Sequence, residues 1–380
     1  MTTTSHATQL QAAGAAVTVL SADPRVTGRV QRSIGPWWTA VRVPPESVEA
    51  GPVVEAVLDT DSYGDTALAV TRSPHRRTTY AGTRILVADS SPDGVVLAVS
   101  PGDRLAYRSE PASGHLTVVG CEVETVATAT ARMAREAMRG VLLRDGWAVL
   151  HASAVALDGR VVLALGEKGA GRTTTALTLA ARHGWELLAD DRVFVRPDST
   201  GGVTVLPWPS TAALGLGLLD ALGWAETARE RLKDGEAVHP TQHRRVTDAL
   251  ITGDFTPLRQ KGKELKAQVY PDQFPRWFGV PLATGGKAAA LVFPRIDPDA
   301  TPAVTAVGRE LSDLDFLSGP TENRSPDIFR LARVDGGGTA EARRVVVRRL
   351  SALPHHAVTL GHDITANAAF LAWLLHQSAS

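Results

Sequence analysis

Residues 147–198 read WAVLHASAVALDGRVVLALGEKGAGRTTTALTLAARHGWELLADDRVFVRPD, and the expectation for the fold rests on this stretch. VVLAL (161–165) is a continuous apolar run of the kind found in a strand buried on both faces. Thr173 to His183 is rich in Ala and Leu and reads as a helix, with Gly184 where a C-cap would fall. ELLA (186–189) and RVFV (192–195) read as further strands. Strands alternating with a helix predict an α/β core, α+β over the whole chain.

Between the apolar strand and the helix lies Gly166-Glu-Lys-Gly-Ala-Gly171-Arg172-Thr173, the spacing of a phosphate loop with arginine in the lysine position. Glycines let such a loop fold tightly enough for successive N–H groups to face phosphate oxygens, and the helix that follows adds its positive end. Gly166, Lys168, Gly169, Ala170, Gly171, Arg172, Thr173 and Thr174 are therefore the expected nucleotide-binding residues. The Thr173 hydroxyl is the expected Mg²⁺ ligand. Arginine is the departure: guanidinium is planar and prefers bidentate geometry, whereas lysine is a compact point charge. Lys168 is a second cation inside the loop, either a phosphate contact or a solvated tip charge.

Asp190 and Asp191 end the next strand. Two adjacent acids there can put one carboxylate on a metal and leave the other to take a proton from an attacking hydroxyl. His151 begins the strand-turn-strand element that feeds the loop, placed either to hydrogen-bond a catalytic Asp or the γ-phosphate, or to serve as an ordinary core histidine.

With His151-Ala-Ser-Ala-Val155, Gly166-x4-Gly171-Arg172-Thr173 and Leu188-Ala-Asp190-Asp191 in this order, the stretch resembles the HPr kinase/phosphorylase family, which belongs with the phosphoenolpyruvate carboxykinase-like P-loop proteins. The resemblance covers about residues 145–197 and implies ATP, Mg²⁺ and phosphoryl transfer to a serine or threonine hydroxyl. By position it makes Asp190 the base with His151 beside it, has Arg172 hold the β- and γ-phosphates, and places Asp191 and Thr173 near the metal. Some relatives of this kind are encoded beside modified-peptide biosynthesis genes, which widens the implied acceptor to a protein, a peptide or a small molecule. The family's Glu-containing element has no clear counterpart: Ala213-Leu-Gly-Leu-Gly217 keeps the glycines without the acid or the arginine. Gly308-Arg309 loosely matches a later phosphate-contacting arginine. Arg172 and the missing Glu leave open the alternative of a nucleotide-binding regulatory or partner protein without kinase activity.

Upstream, residues 1–120 hold short runs (VVEAVLDTD, TALAVTR, TRILVADS, GVVLAVS, RLAYRS, HLTVVG) separated by turn residues, which predict an antiparallel, β-rich N-terminal lobe. From Glu122 to Asp145 the period becomes helical, with Val126, Met133, Ala137, Val141 and Leu142 on one face, and residues 121–380 are expected to form the nucleotide-binding domain. Downstream, AAALVFP (288–294) reads as a strand, Glu310–Leu317 as a helix and TANAAFLAWLLHQ (365–377) as a terminal helix.

Across 380 residues, 40 Lys plus Arg balance 40 Asp plus Glu, which argues against a nucleic-acid partner or an anionic membrane. Six of those cations are lysines and thirty-four arginines. Cys121 alone makes neither an internal disulfide nor a Cys-based metal site, and with no basic n-region and no long apolar run a soluble, cytoplasmic protein is expected. The oligomeric state is open, and a homo-oligomer is compatible with the composition. Lys261, Lys263 and Lys266 form either a gripping loop or a solvated face. His239 and His243 have the spacing of a metal pair, but with Pro240 between them they read as loop. Trp208, Trp224, Trp277 and Phe278 are expected to pack irregular segments, and the sequon at Asn323 is expected to be chance.

Overall fold

A computed structural model describes residues 5–47, 51–305, 309–317, 326–334 and 336–377. Asn323 and Gly308 lie outside them. The fold is mixed α/β, in two compact units: Met1–Trp147 with Leu317–Thr339, and Ala148–Phe316 with Ala340–Ser380. The first unit runs on past residue 120, as far as Trp147. Helix Val123–Arg144 packs beside helix Pro24–Ile34 and over strands of the first unit, and the chain re-enters that unit after Phe316.

The first unit is built on a nine-stranded sheet ordered Thr39–Val43, His6–Ala12, Ala15–Ser21, Val53–Leu58, His115–Gly120, Leu105–Glu110, Val96–Ser100, Thr83–Ala88, Arg76–Tyr80. It is mixed, not antiparallel as expected, because Val53–Leu58 runs parallel to both of its neighbours. TALAVTR was expected as strand but lies in helix Thr60–Arg72, where Asp59 caps the Ser62 N–H at 2.9 Å and supplies the start signal. That helix covers the face carrying Val99, Ala106 and Val119. Tyr107, one residue along and so on the opposite face, meets Phe329 from the re-entrant segment.

In the second unit the sheet runs Ala148–Leu150, Val193–Pro197, Val203–Pro207, Gly286–Ile296, Arg160–Ala164, Ser153–Leu157, Glu186–Ala189. Gly286–Ile296 pairs in parallel with Arg160–Ala164 along one edge. Along its other edge it pairs first with Val203–Pro207 and then, in parallel, with His355–Leu360. The strand feeding the glycine loop is therefore internal. Its residues Val161 and Leu163 join a core with Val346 and Leu350 of helix Ala340–Leu350, while Val162 and Ala164 are buried towards the other face. Helix Arg172–His183 packs on these strands next to Ile364–Gln377, and Gly184 closes it with φ 68°. The helix expected at 310–317 shrinks to one 3-10 turn, Asp313–Asp315, capped by Ser312. Among the described residues no helix is long and apolar enough to cross a membrane.

Candidate functional site

The loop strand leaves the sheet after the Leu165 N–H bonds the Val292 carbonyl at 2.9 Å. A turn then forms in which the Ala170 N–H donates to the Glu167 carbonyl at 3.1 Å. Gly169 and Gly171 sit at φ 88° and 102°, backbone that L side chains rarely adopt. A Cβ on Gly171 would also fall 2.6 Å from Ile296 Cδ1, and one on Gly166 2.8 Å from the Ala170 Cβ. These glycines are thus fixed by conformation and by space. Gly171 caps the helix, its carbonyl taking the Thr175 N–H at 2.8 Å and the Thr175 hydroxyl at 3.0 Å. The first N–H groups of a helix have no intrahelical acceptor, so the amides of Arg172, Thr173 and Thr174 open towards the loop with the helix dipole behind them. Lys168 is exposed at the tip.

The Arg172 side chain goes to His151. Nη1 donates to the His151 carbonyl at 3.1 Å, and Nη2 lies 2.8 Å from His151 Nε2. The same Nε2 lies 2.9 Å from Asp191 Oδ1. One ring nitrogen faces a donor and an acceptor, and it serves one of them at a time: unprotonated it accepts from Arg172, protonated it donates to Asp191. The His151 main chain is fixed independently, since its N–H donates to the Asp315 carbonyl at 2.7 Å, and the Asp315 carboxylate pairs with Arg309. His151 was expected beside Asp190; the structure puts it on Asp191. Asp191, ionised and paired with Arg192, is the carboxylate within reach of the ring.

Asp190 is held mainly through its backbone. Its carbonyl accepts from the Ser153 hydroxyl and, at 3.2 Å, from the Thr173 hydroxyl, while Ser210 Oγ donates to Asp190 Oδ1 at 3.4 Å. Burial first, and then the Asp191 charge, push its carboxyl up to about 7. Asp191 goes the other way. Burial would raise it, but the His151 hydrogen bond and the charges of Arg192 and Arg172 hold it well below the usual carboxylate range. Arg192 Nη1 sits 3.4 Å from Asp191 Oδ2. The adjacent pair is thus split into one acid poised near neutrality and one permanently ionised.

Among the described residues no group of three or more His, Cys, Asp or Glu could hold a metal. Mg²⁺ carried on a nucleotide needs only one or two protein oxygens, and the Thr173 hydroxyl and the ionised Asp191 carboxylate are hard donors of that kind. Among the other motifs Trp208 borders the site, with the Arg192 guanidinium 5.7 Å from the centre of its ring. His243 caps helix Arg244–Thr252 and His239 tilts against Tyr270 at 4.8 Å, so the two do not face one metal. Lys261 and Gly262 form the tip of a small exposed hairpin. Trp208 stacks on Phe194, and Trp224 on Phe278.

Sequence reasoning missed Ser153, Ser210 and Arg192. Arg192 follows the acid pair directly and could have been found there, as could Ser153, two residues beyond His151 at the start of the next strand. Ser210, in the irregular segment between two strands, carries no signal. No family model matches the chain, and no curated protein matches it. Among solved structures it is similar to the Hpr(Ser) kinase/phosphatase from Coxiella burnetii, at 10% identity and a TM-score of 0.26, over 61% of this chain and 93% of that one.

Proposed function

We propose that the protein is an ATP-dependent phosphotransferase that passes the γ-phosphate to a hydroxyl on a protein, a peptide or a small molecule. One observation carries the reading: a glycine loop at a helix N-terminus is joined through Thr173, Arg172 and His151 to an acid pair whose two members are split in basicity. Bound Mg²⁺-ATP supplies the phosphoryl group and a counter-charge for its oxygens. The loop amides and Arg172 orient the phosphates, and Thr173 with Asp191 would hold the metal. Asp190 takes the acceptor's proton as the hydroxyl oxygen bonds the γ-phosphorus and the bond to the β-phosphate oxygen breaks. A carboxylate near neutrality is matched to that task. A cytoplasmic setting suits the single thiol, Cys121.

A second reading, a nucleotide-binding partner protein without transfer, is favoured by one feature: the Arg172 guanidinium is turned to His151 and not along the loop. Incubation with γ-labelled ATP, Mg²⁺ and a panel of serine peptides and small alcohols separates the two. Label should pass to an acceptor in the native protein and be lost in Asp190→Asn with nucleotide affinity kept. Tight binding with no transfer to any acceptor supports the second reading.

A further inference from the structure

The first unit carries a cavity of about 280 Å³ at the foot of the re-entrant segment, where Arg144, Arg330 and Arg333 converge over Pro111, Ala137 and Leu331. No carboxylate lines it among the described residues. Each arginine is oriented by a main-chain carbonyl, which fixes a guanidinium without adding a counter-charge. Arg144 Nη1 donates to the Leu331 carbonyl, Arg330 Nη2 to the Asp89 carbonyl at 3.0 Å and Arg333 Nη2 to the Pro111 carbonyl at 2.7 Å. Asp89 lies 3.9 Å from Arg330 Nη2, and Arg330 and Arg333 also border a neighbouring hollow that Asp93 and Asp327 line. Each such bond uses one of five N–H donors, so most of the fork remains for a ligand.

The presenting loop is tied down by its own hydrogen bonds and by ring contacts. Asp327 accepts the Leu331, Ala332 and Arg333 N–H groups at 2.7, 3.0 and 3.0 Å. Phe329 anchors it between Tyr80 and Tyr107, and its carbonyl takes the Ser109 hydroxyl at 2.8 Å. Arg330 and Arg333 both hold left-handed backbone, φ 56° and 59°. That conformation is unfavourable for a residue with a Cβ, and it occurs at two of the three cavity-lining arginines.

We propose that this cavity binds an oxyanion borne on an apolar stem, either the carboxylate of an acidic peptide or an organic phosphate. Three preset guanidiniums match a two- or three-oxygen anion bidentately, and the volume lies just below the ~300–1,000 Å³ of small-molecule sites. The site stands independently of the phosphate loop.

The test uses the full chain, with a hexaglutamate peptide and phenyl phosphate as probes, read by calorimetry at low salt. At least one probe should bind the native protein and lose at least about tenfold in affinity in Arg330→Gln/Arg333→Gln. Melting and circular dichroism of the variant confirm that it folds, and Arg144→Gln provides a third, single-site reading. Binding of the peptide alone assigns a carboxylate partner; binding of phenyl phosphate alone assigns a phosphate. The proposal is overturned if neither probe binds, or if binding is the same in the double variant. It is equally overturned if phenyl phosphate binding survives there and disappears in Arg172→Gln, which would locate that ligand in the glycine loop.

Discussion

Asp190 and Asp191 are covalent neighbours, yet their surroundings separate them. Asp190, buried and beside a like charge, keeps its proton to about pH 7, against 3.8 for an ordinary aspartate. Between those values the folded chain binds a proton that the unfolded chain has lost. This group's contribution to stability therefore falls as pH rises through that window. Asparagine keeps a carbonyl oxygen for Ser210 and cannot ionise. Asp190→Asn should gain on the native protein by about 1–3 kcal/mol between roughly pH 4.5 and pH 8, discounting the full shift at 1.4 kcal/mol per unit. A melting-temperature difference that stays constant over that range would contradict the buried, protonated acid. In the active protein the same group predicts a transfer rate that rises with pH and levels off above about 7, since a base must first be free of its proton. Arg172 gives a second prediction at this scale. Lysine keeps the charge but cannot reach the His151 carbonyl and ring together, so Arg172→Lys should hold nucleotide affinity within a few-fold. Arg172→Gln, with no charge, should lose about tenfold or more in the same titration.

Among the elements, the loop and its helix were legible in the sequence because their physics is local. Glycine spacing, an apolar run buried on both sides and a C-cap glycine each act within a few residues. Gly171→Ala tests the local reading. The substitution meets both a left-handed backbone and Ile296 at 2.6 Å, so it should cost about 1–3 kcal/mol of stability and abolish nucleotide binding in a thermal-shift titration. An alanine variant that still binds would mean that the loop refolds around its ligand. What the sequence hid was non-local. TALAVTR has the composition of a strand, and only the Asp59 cap and the sheet face it covers make it a helix. His151 was placed near the acids, but that it meets Asp191 was hidden, because the contact joins residues forty apart and Arg172 reaches the same ring from the following helix. Ser210 reaches Asp190 from an irregular segment twenty residues away in sequence.

For the molecule as a whole, neither unit is a single stretch of chain, and this has an energetic consequence. The chain lays down most of the second unit's sheet by Phe316, gives its next residues to the first unit and returns at Ala340, adding the strand His355–Leu360 after the return. Phe329, 1% exposed, is the wedge of that excursion, edge-on to Tyr80 at 5.3 Å and tilted against Tyr107 at 5.1 Å. Gly140 admits the segment, since a Cβ there would lie 2.5 Å from the Leu331 carbonyl. A fragment ending at Trp147 would therefore leave the two tyrosines facing a hole, although every strand of the first sheet is present in it. Phe329→Ala makes the same hole in the intact chain and should cost about 3–5 kcal/mol in the first unit, as large aromatic truncations do. Amide exchange at Arg76–Tyr80 and Leu105–Glu110 should then speed up by about two to three orders of magnitude, with Phe329→Leu recovering part of the protection. Unchanged exchange in those two strands would show that the re-entrant segment lies on the first unit without holding it together.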